Sequence, residues 1–170
     1  MTGIELPKQT INALQKGASM FIVPVPSNII VDEIREDMIS YSTYMDGEEE
    51  SWTNDGVEEF IQEFSKLQID HEFFNQEEFY YGKGTHSDVI TYSPDKYDKQ
   101  LLRDRVIDAS QMSQEQSRYK GIVVDAEVKR VGDMLISDVN KCGLEEEFIF
   151  DEFPHKDNQY VFLYKIKEIK

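Results

Sequence analysis

Over residues 8 to 17 the side chains are polar except at Ile11, Ala13 and Leu14, the spacing of one helix face, and the stretch closes at Gly17, a natural helix-ending residue. Pro7 suits the first helical position, and Ile4–Leu6 ahead of it reads as a short strand. From Met20 the rhythm changes: Met20, Phe21, Ile22, Val23 and Val25 follow without one charged side chain, predicting a strand over 19–26 that Pro24 and Pro26 end or place at an edge. Val57, Phe60, Ile61, Phe64 and Leu67 recur at helical spacing, with Asn54 or Asp55 as cap and Glu58 as capping-box partner. The preceding YSTYMDGEEESWTNDG reads as loop, with Trp52 pinning it. EFFNQEEFYY (72–81) predicts a strand, and VITYSP (89–94) its hairpin partner. Residues 97–117 predict a long loop or partial helix, and GIVVDAEVKRV (121–131) a strand. Ser137 or Asp138 is expected to start a short helix ending at Gly143, and YVFLYKI (160–166) to form the last strand. The order is β-α-β, an insertion over about 32–72, then mostly β. It predicts one α+β domain over 1–170, a small mixed β-barrel with short helices at its rim and an inserted acidic helical segment.

Charge sharpens this picture. The 170 residues carry a net charge of −16. Between Asp32 and Glu78 sixteen acids face only Arg35 and Lys66, so this block holds −14 of it. Such a block repels phosphate backbones and favours basic partners, or serves as a solvated face. No apolar run approaches the ~18 residues that span a bilayer, and the first residues lack a signal-peptide layout, so a cytoplasmic protein without membrane association is expected. The lone Cys142 supplies neither a disulfide nor a Cys-rich zinc site.

MSQEQSRYKGIVVDAEVKRVGDMLISDVNKCGL (112–144) resembles the phage-type branch of the ASCH domains, in the PUA-like superfamily. Ser117 and Arg118, the Val-rich strand with Val124, Val128, Arg130 and Val131, and the Asp138 to Gly143 helix carry the resemblance. QEEFYY, DNQYVFLYKIKEI and IELPKQTINALQKG match further family segments in the same order, with Glu77 at the family's Glu. The resemblance implies a β-barrel whose cleft near the first helix holds RNA or modified nucleosides, and in some relatives an amidohydrolase of an acetylated cytidine that works through Lys, Thr and Glu. It also implies a phage-encoded protein acting in the host cytoplasm. Where the family places a Lys-Thr-Arg run, this chain has Ala18 to Pro24, with only Ser19 polar; Gln76 stands where the family often has Arg.

The cleft candidates are therefore Lys16, Ser19, Gln76, Glu77, Ser117 and Arg118. For Glu77 with Arg118, a ligand-reading pair and a structural brace both stand; Lys16 reaches the cleft or serves its own helix end. Tyr80, Tyr81, Tyr92 and Tyr97 stack on bases or pack the hairpin. GKGTHS (82–87) lacks the pattern of a phosphate loop. His71, His86 and His155 are scattered, and Glu145, Glu146, Glu147, Asp151 and Glu152 read as a solvated loop or a weak cation grip, so no metal, cofactor or catalytic residue is assigned. Three functions follow. The first is a non-catalytic module for RNA or a modified nucleotide, with Lys120, Lys129, Arg130, Lys165, Lys167 and Lys170 as possible phosphate contacts beside Arg118. The second is an acidic, nucleic-acid-mimicking inhibitor that presents Glu48, Glu49, Glu50, Glu58, Glu59 and Glu63 to a basic host protein. The third is a nucleoside amidohydrolase, for which the run after Gly17 lacks the groups needed to activate a nucleophile and hold an oxyanion.

Overall fold

The unbroken apolar run after Gly17 has a structural cause. In a computed structural model describing residues 1–45, 47–49, 52–81, 90–92 and 106–170, β2 (Met20–Pro24) lies in a sheet that is covered on both faces. Phe21 and Val23 face one core and Met20 and Ile22 another, so Met20, Phe21 and Ile22 are buried in succession, Val23 is half-buried and no alternation survives. The closing strand β11 (Tyr160–Glu168) does the same: Phe162, Tyr164 and Ile166 enter the first core, Val161 and Leu163 the second.

Five strands form this sheet in the order β1 (Thr2–Glu5), β7 (Glu72–Gln76), β10 (Lys120–Arg130), β11, β2. β1 runs parallel to β7 and the other neighbours are antiparallel. The first helix, α1 (Lys8–Gln15), has Pro7 as its cap rather than its first residue, and the chain leaves it through Gly17 at φ +99°. Among the described residues the sheet ends on β1 and β2 and does not close by hydrogen bonding, so the architecture is a mixed α+β fold without the closed barrel predicted above. It does curl: the Phe21 and Phe73 rings, on strands that are not neighbours, lie 5.4 Å apart.

The acidic block is the largest departure from expectation. A strand, β3 (Ile29–Arg35), precedes the predicted loop, and that loop holds the larger part of β4 (Met38–Met45) and all of β5 (Glu48–Glu49) and β6 (Thr53–Gly56), with β4 paired to the other three. Glu36, at φ +54°, turns β3 into β4. Burial of Ile39, Tyr41 and Ser42 against the main body orders a polar stretch that local propensity leaves undecided. The helix α2 (Val57–Phe64) follows, capped by Gly56 and not by Asn54 or Asp55, both of which are held extended opposite Ser40 and Ile39 in β6. The predicted capping box is absent; Asp55 instead accepts the Gly56 N–H at 3.0 Å, while Glu58 and Glu59 place negative charge in the first turn. Phe60 ties the block to the main sheet, its ring 5.0 Å from Tyr41 and 6.0 Å from Phe162. Behind it the Ser65 hydroxyl is hydrogen-bonded to the Tyr164 hydroxyl.

Three further elements differ in detail. The 72–81 strand is broken after Gln76, and β8 (Phe79–Tyr81) pairs with β9 (Ile90–Tyr92) as a separate hairpin. The helix predicted from Ser137 or Asp138 begins one or two residues earlier, as α3 (Ile136–Cys142), because the Asp138 carboxylate accepts the Leu135 N–H at 3.0 Å from the third helical position. Glu145 to Glu152 is not a loop: Phe148, Ile149 and Phe153 pack on the second core and draw Glu146–Glu152 into a helix, α4. The two cores lie on opposite faces of the main sheet, with α2 over the first and α3 and α4 over the second.

Candidate functional site

One residue beyond β7, and two before β10, the chain places Glu77 and Arg118 side by side. Arg118 donates from Nε and Nη2 to the two Glu77 carboxylate oxygens at 2.7 and 2.6 Å, a bidentate pair whose carboxylate side chain is only 7% exposed. The third guanidinium nitrogen reaches Gln15 Oε1 at 3.3 Å, and the plane lies 4.9 Å from the centre of the Tyr92 ring. Underneath, the fully buried Asn75 donates from Nδ2 to Glu77 Oε1 at 3.1 Å and accepts the Tyr119 N–H at 2.7 Å. Ser117 Oγ lies 2.8 Å from Asn75 Oδ1 and from the carbonyls of Asn75 and Tyr119, to one of which its proton goes. The Tyr92 hydroxyl donates to the Gln116 carbonyl at 2.6 Å. Burial raises the Tyr92 pKa, the Glu77 charge adds to this and Arg118 offsets part of it.

Both oxygens of Glu77 accept, and each of the three nitrogens of Arg118 donates once, within the protein, so the pair is braced by its neighbours; the guanidinium has five N–H groups and its side chain is 19% exposed. The pair's mechanical effect is to extend the β7–β10 junction past its last ladder pair.

The other cleft candidates are not part of it. Gln76, next to Glu77 on a strand, points the other way, over Gly3, and donates to the carbonyls of Ser110 and Met112 at 3.3 Å each. Lys16 is an exposed C-cap, and the α1 residue that meets Arg118 is Gln15. Ser19 contributes backbone, its N–H to the Lys141 carbonyl and its carbonyl to the Ile166 N–H. Gln15 and Asn75 went unnoticed in the sequence because nothing local marks them. Tyr92 stood out only as an aromatic, and here it carries a guanidinium. Tyr97, His86 and the GKGTHS stretch lie outside the described residues.

The basic residues that a phosphate backbone would need are partly spent. Lys129 is paired with Asp138 at 2.9 Å and Glu127 at 3.6 Å, and Arg130 with Asp133 at 2.9 Å. Burial alone would lower the Lys129 pKa, but the hydrogen bond to Asp138 and the surrounding carboxylates leave it raised.

No family model, curated protein or solved structure matches this chain. Its functional reading rests on its own geometry.

On the first-core side, α2 shows Glu58, Glu59 and Glu63 to solvent. Beside it runs an open groove of about 870 Å³ with Met38 and Ile69 along it and Asp37, Glu58, Glu59 and Asp125 around it. Met38 and Ile69 are 50% and 46% exposed, so the groove joins exposed apolar side chains to four carboxylates, with Gln62 and Gln68 also in its lining. The field is felt nearby: burial, then Glu63 and Asp55, raise the Tyr41 pKa. Glu48 belongs elsewhere. It pairs with Met45, at the opposite end of β4 from the Met38–Gly56 pair that begins α2, roughly 23 Å along the strand at its usual rise. The predicted six-carboxylate surface is therefore divided; Glu49 lies with Glu48 in β5, and Glu50 lies outside the described residues. Among the described residues no cluster of His, Cys, Asp and Glu has the arrangement of a metal site, and no helix is long and apolar enough to cross a membrane.

Proposed function

We infer that this protein is a non-catalytic binding protein whose working surface is the acidic groove along α2, and that it engages a basic segment of another protein, in competition with nucleic acid. The observation that carries this reading is the anchoring of the carboxylates. Glu58, Glu59 and Glu63 stand on a helix held to the main sheet by Phe60, beside a hairpin sheet buried through Ile39 and Tyr41, so their spacing is preset and little ordering entropy is lost on binding. The fold is proposed to descend from the PUA-like ASCH architecture of phages, which supports a role against a host basic protein by analogy. To test it, immobilised parent protein and a Glu58→Gln, Glu59→Gln, Glu63→Gln variant would be compared for capture of basic nucleic-acid-binding proteins, and for displacement of a labelled DNA duplex from what is captured. Capture and displacement weakened at least tenfold in the variant are expected; equal binding by the variant would overturn the reading.

A second reading, the module for RNA or a modified nucleotide, is favoured by one observation: Lys165, Lys167 and Lys170 are exposed at the end of β11. Anisotropy of a labelled single-stranded RNA across a salt series separates the two. Binding that falls steeply with salt and is lost on neutralising these lysines supports the nucleic-acid module; no binding at low salt leaves the acidic groove. An amidohydrolase fits poorly, since Met20, Phe21 and Ile22 are core residues.

A further inference from the structure

On the far side of the main sheet, α3 and α4 cover the second core and yet leave large apolar side chains in solvent. Leu135 is 60% exposed, Ile136 77% and Phe150 64%, which no requirement of the core explains. Between the helices lies a groove of about 650 Å³ with Met134, Val139, Ile149 and Phe150 along it. Its border is charged and mainly negative: Glu146, Glu147 and Asp151 against Lys156.

We propose that this groove docks an amphipathic helix of a partner protein, with an apolar stripe flanked by lysine or arginine. An apolar trough between two helices takes side chains that repeat at i, i+3 and i+4. The acidic border complements a cationic flank and disfavours anionic occupants such as lipid headgroups or nucleic acid. It also disfavours a second copy, because a two-fold contact would press the same three carboxylates together on a protein of net charge −16. The site shares no lining residue with the α2 groove and stands or falls independently of it.

The probe is a fluorescein-labelled 14-residue peptide of leucine and lysine at helical spacing, titrated against the intact protein beside a peptide of the same composition with the stripe scrambled. The stripe peptide should bind at least tenfold tighter than the scrambled one and gain helicity on binding. Phe150→Ser, at an exposed position in the lining and checked for unchanged melting temperature, should weaken it about tenfold. The α2 triple glutamine variant should bind as the parent does. Equal binding of the scrambled peptide would reduce the effect to charge attraction and overturn the proposal, as would parental affinity in Phe150→Ser or loss of binding in the α2 variant. A dimer in sedimentation equilibrium that Phe150→Ser dissociates would name a second copy as occupant and overturn it equally.

Discussion

Arg118 and Glu77 hold each other at both ends of a fork, and removing one partner exposes what the other costs. Arg118→Met leaves a carboxylate with 7% exposure facing only Asn75, and should destabilise the protein by about 2–3 kcal/mol, at the low end for a broken buried pair because the arginine itself is at the margin. Glu77→Gln added to it should recover part of that loss in urea denaturation; a double variant as unstable as the sum of the singles would refute the pairing argument. Asp138 behaves differently. Burial pushes its pKa up, but the Lys129 ammonium and the Leu135 N–H outweigh this and hold it below the ordinary carboxylate value. Its stabilising contribution is therefore present above the ordinary value and is lost as pH falls through the depressed one. Asp138→Asn should flatten the acid limb of the stability profile between about pH 5 and pH 2. Burial, helped by Asp138, raises the Cys142 thiol to about 12. Native protein at pH 8 should then leave a thiol reagent unreacted until denaturant is added; rapid labelling of the folded chain would contradict the burial. At this scale the Glu77 and Arg118 pair was legible through the segments that resemble a known family, whereas Gln15 and Tyr92 were not, because they lie 103 and 26 residues upstream of Arg118 and only the fold brings them to it.

Elements with one strong apolar signal, periodic in α1 and part of β10 and unbroken in β2 and β11, were readable and stand close to where that signal puts them. What the pattern concealed were elements ordered by their neighbours. β4 carries two serines, and β6 Asn, Asp and Gly, residues that do little for a strand alone, and both are held by pairing on both sides of β4 and by Tyr41 against Phe60. The fourth helix is dense in acid and owes its existence to Phe148, Ile149 and Phe153 against the second core. Helix ends were clearer at C-termini than at N-termini, since a left-handed residue is a backbone necessity while a cap has substitutes. Gly143 shows this: its φ is +62°, and a Cβ there would lie 3.2 Å from Ala13 Cβ. Gly143→Ala should cost about 1–2 kcal/mol in thermal or chemical denaturation, from strain and the crowding of α3 on α1 together; an unchanged midpoint would show that this junction yields.

For the whole molecule, charge is distributed unevenly enough to affect stability. Sixteen acids stand against two bases between Asp32 and Glu78, and those grouped at α2 and the end of the hairpin sheet, Asp55, Glu58, Glu59 and Glu63, repel one another. Raising sodium chloride from about 0.05 to 0.5 M shortens the Debye length to a few ångströms and should raise the melting temperature by several degrees. The Glu58, Glu59, Glu63 glutamine variant should show a smaller rise; the same rise in both would place the repulsion elsewhere.

The position of β11 has a consequence for how the chain comes into being. Synthesis proceeds from the N-terminus, yet residues 160 to 168 form the strand that sits between β10 and β2. Until they leave the ribosome, the Met20–Pro24 run has no strand to pair with, and Phe21 and Ile22 have neither of their cores. The growing chain thus carries a sticky, unpaired edge while the residues between Pro24 and Tyr160 are made, on the order of ten seconds at ordinary elongation rates. The acidic stretch that follows β2 emerges during that interval, and its mutual repulsion keeps neighbouring chains apart, so the charge that burdens the finished fold protects the unfinished one.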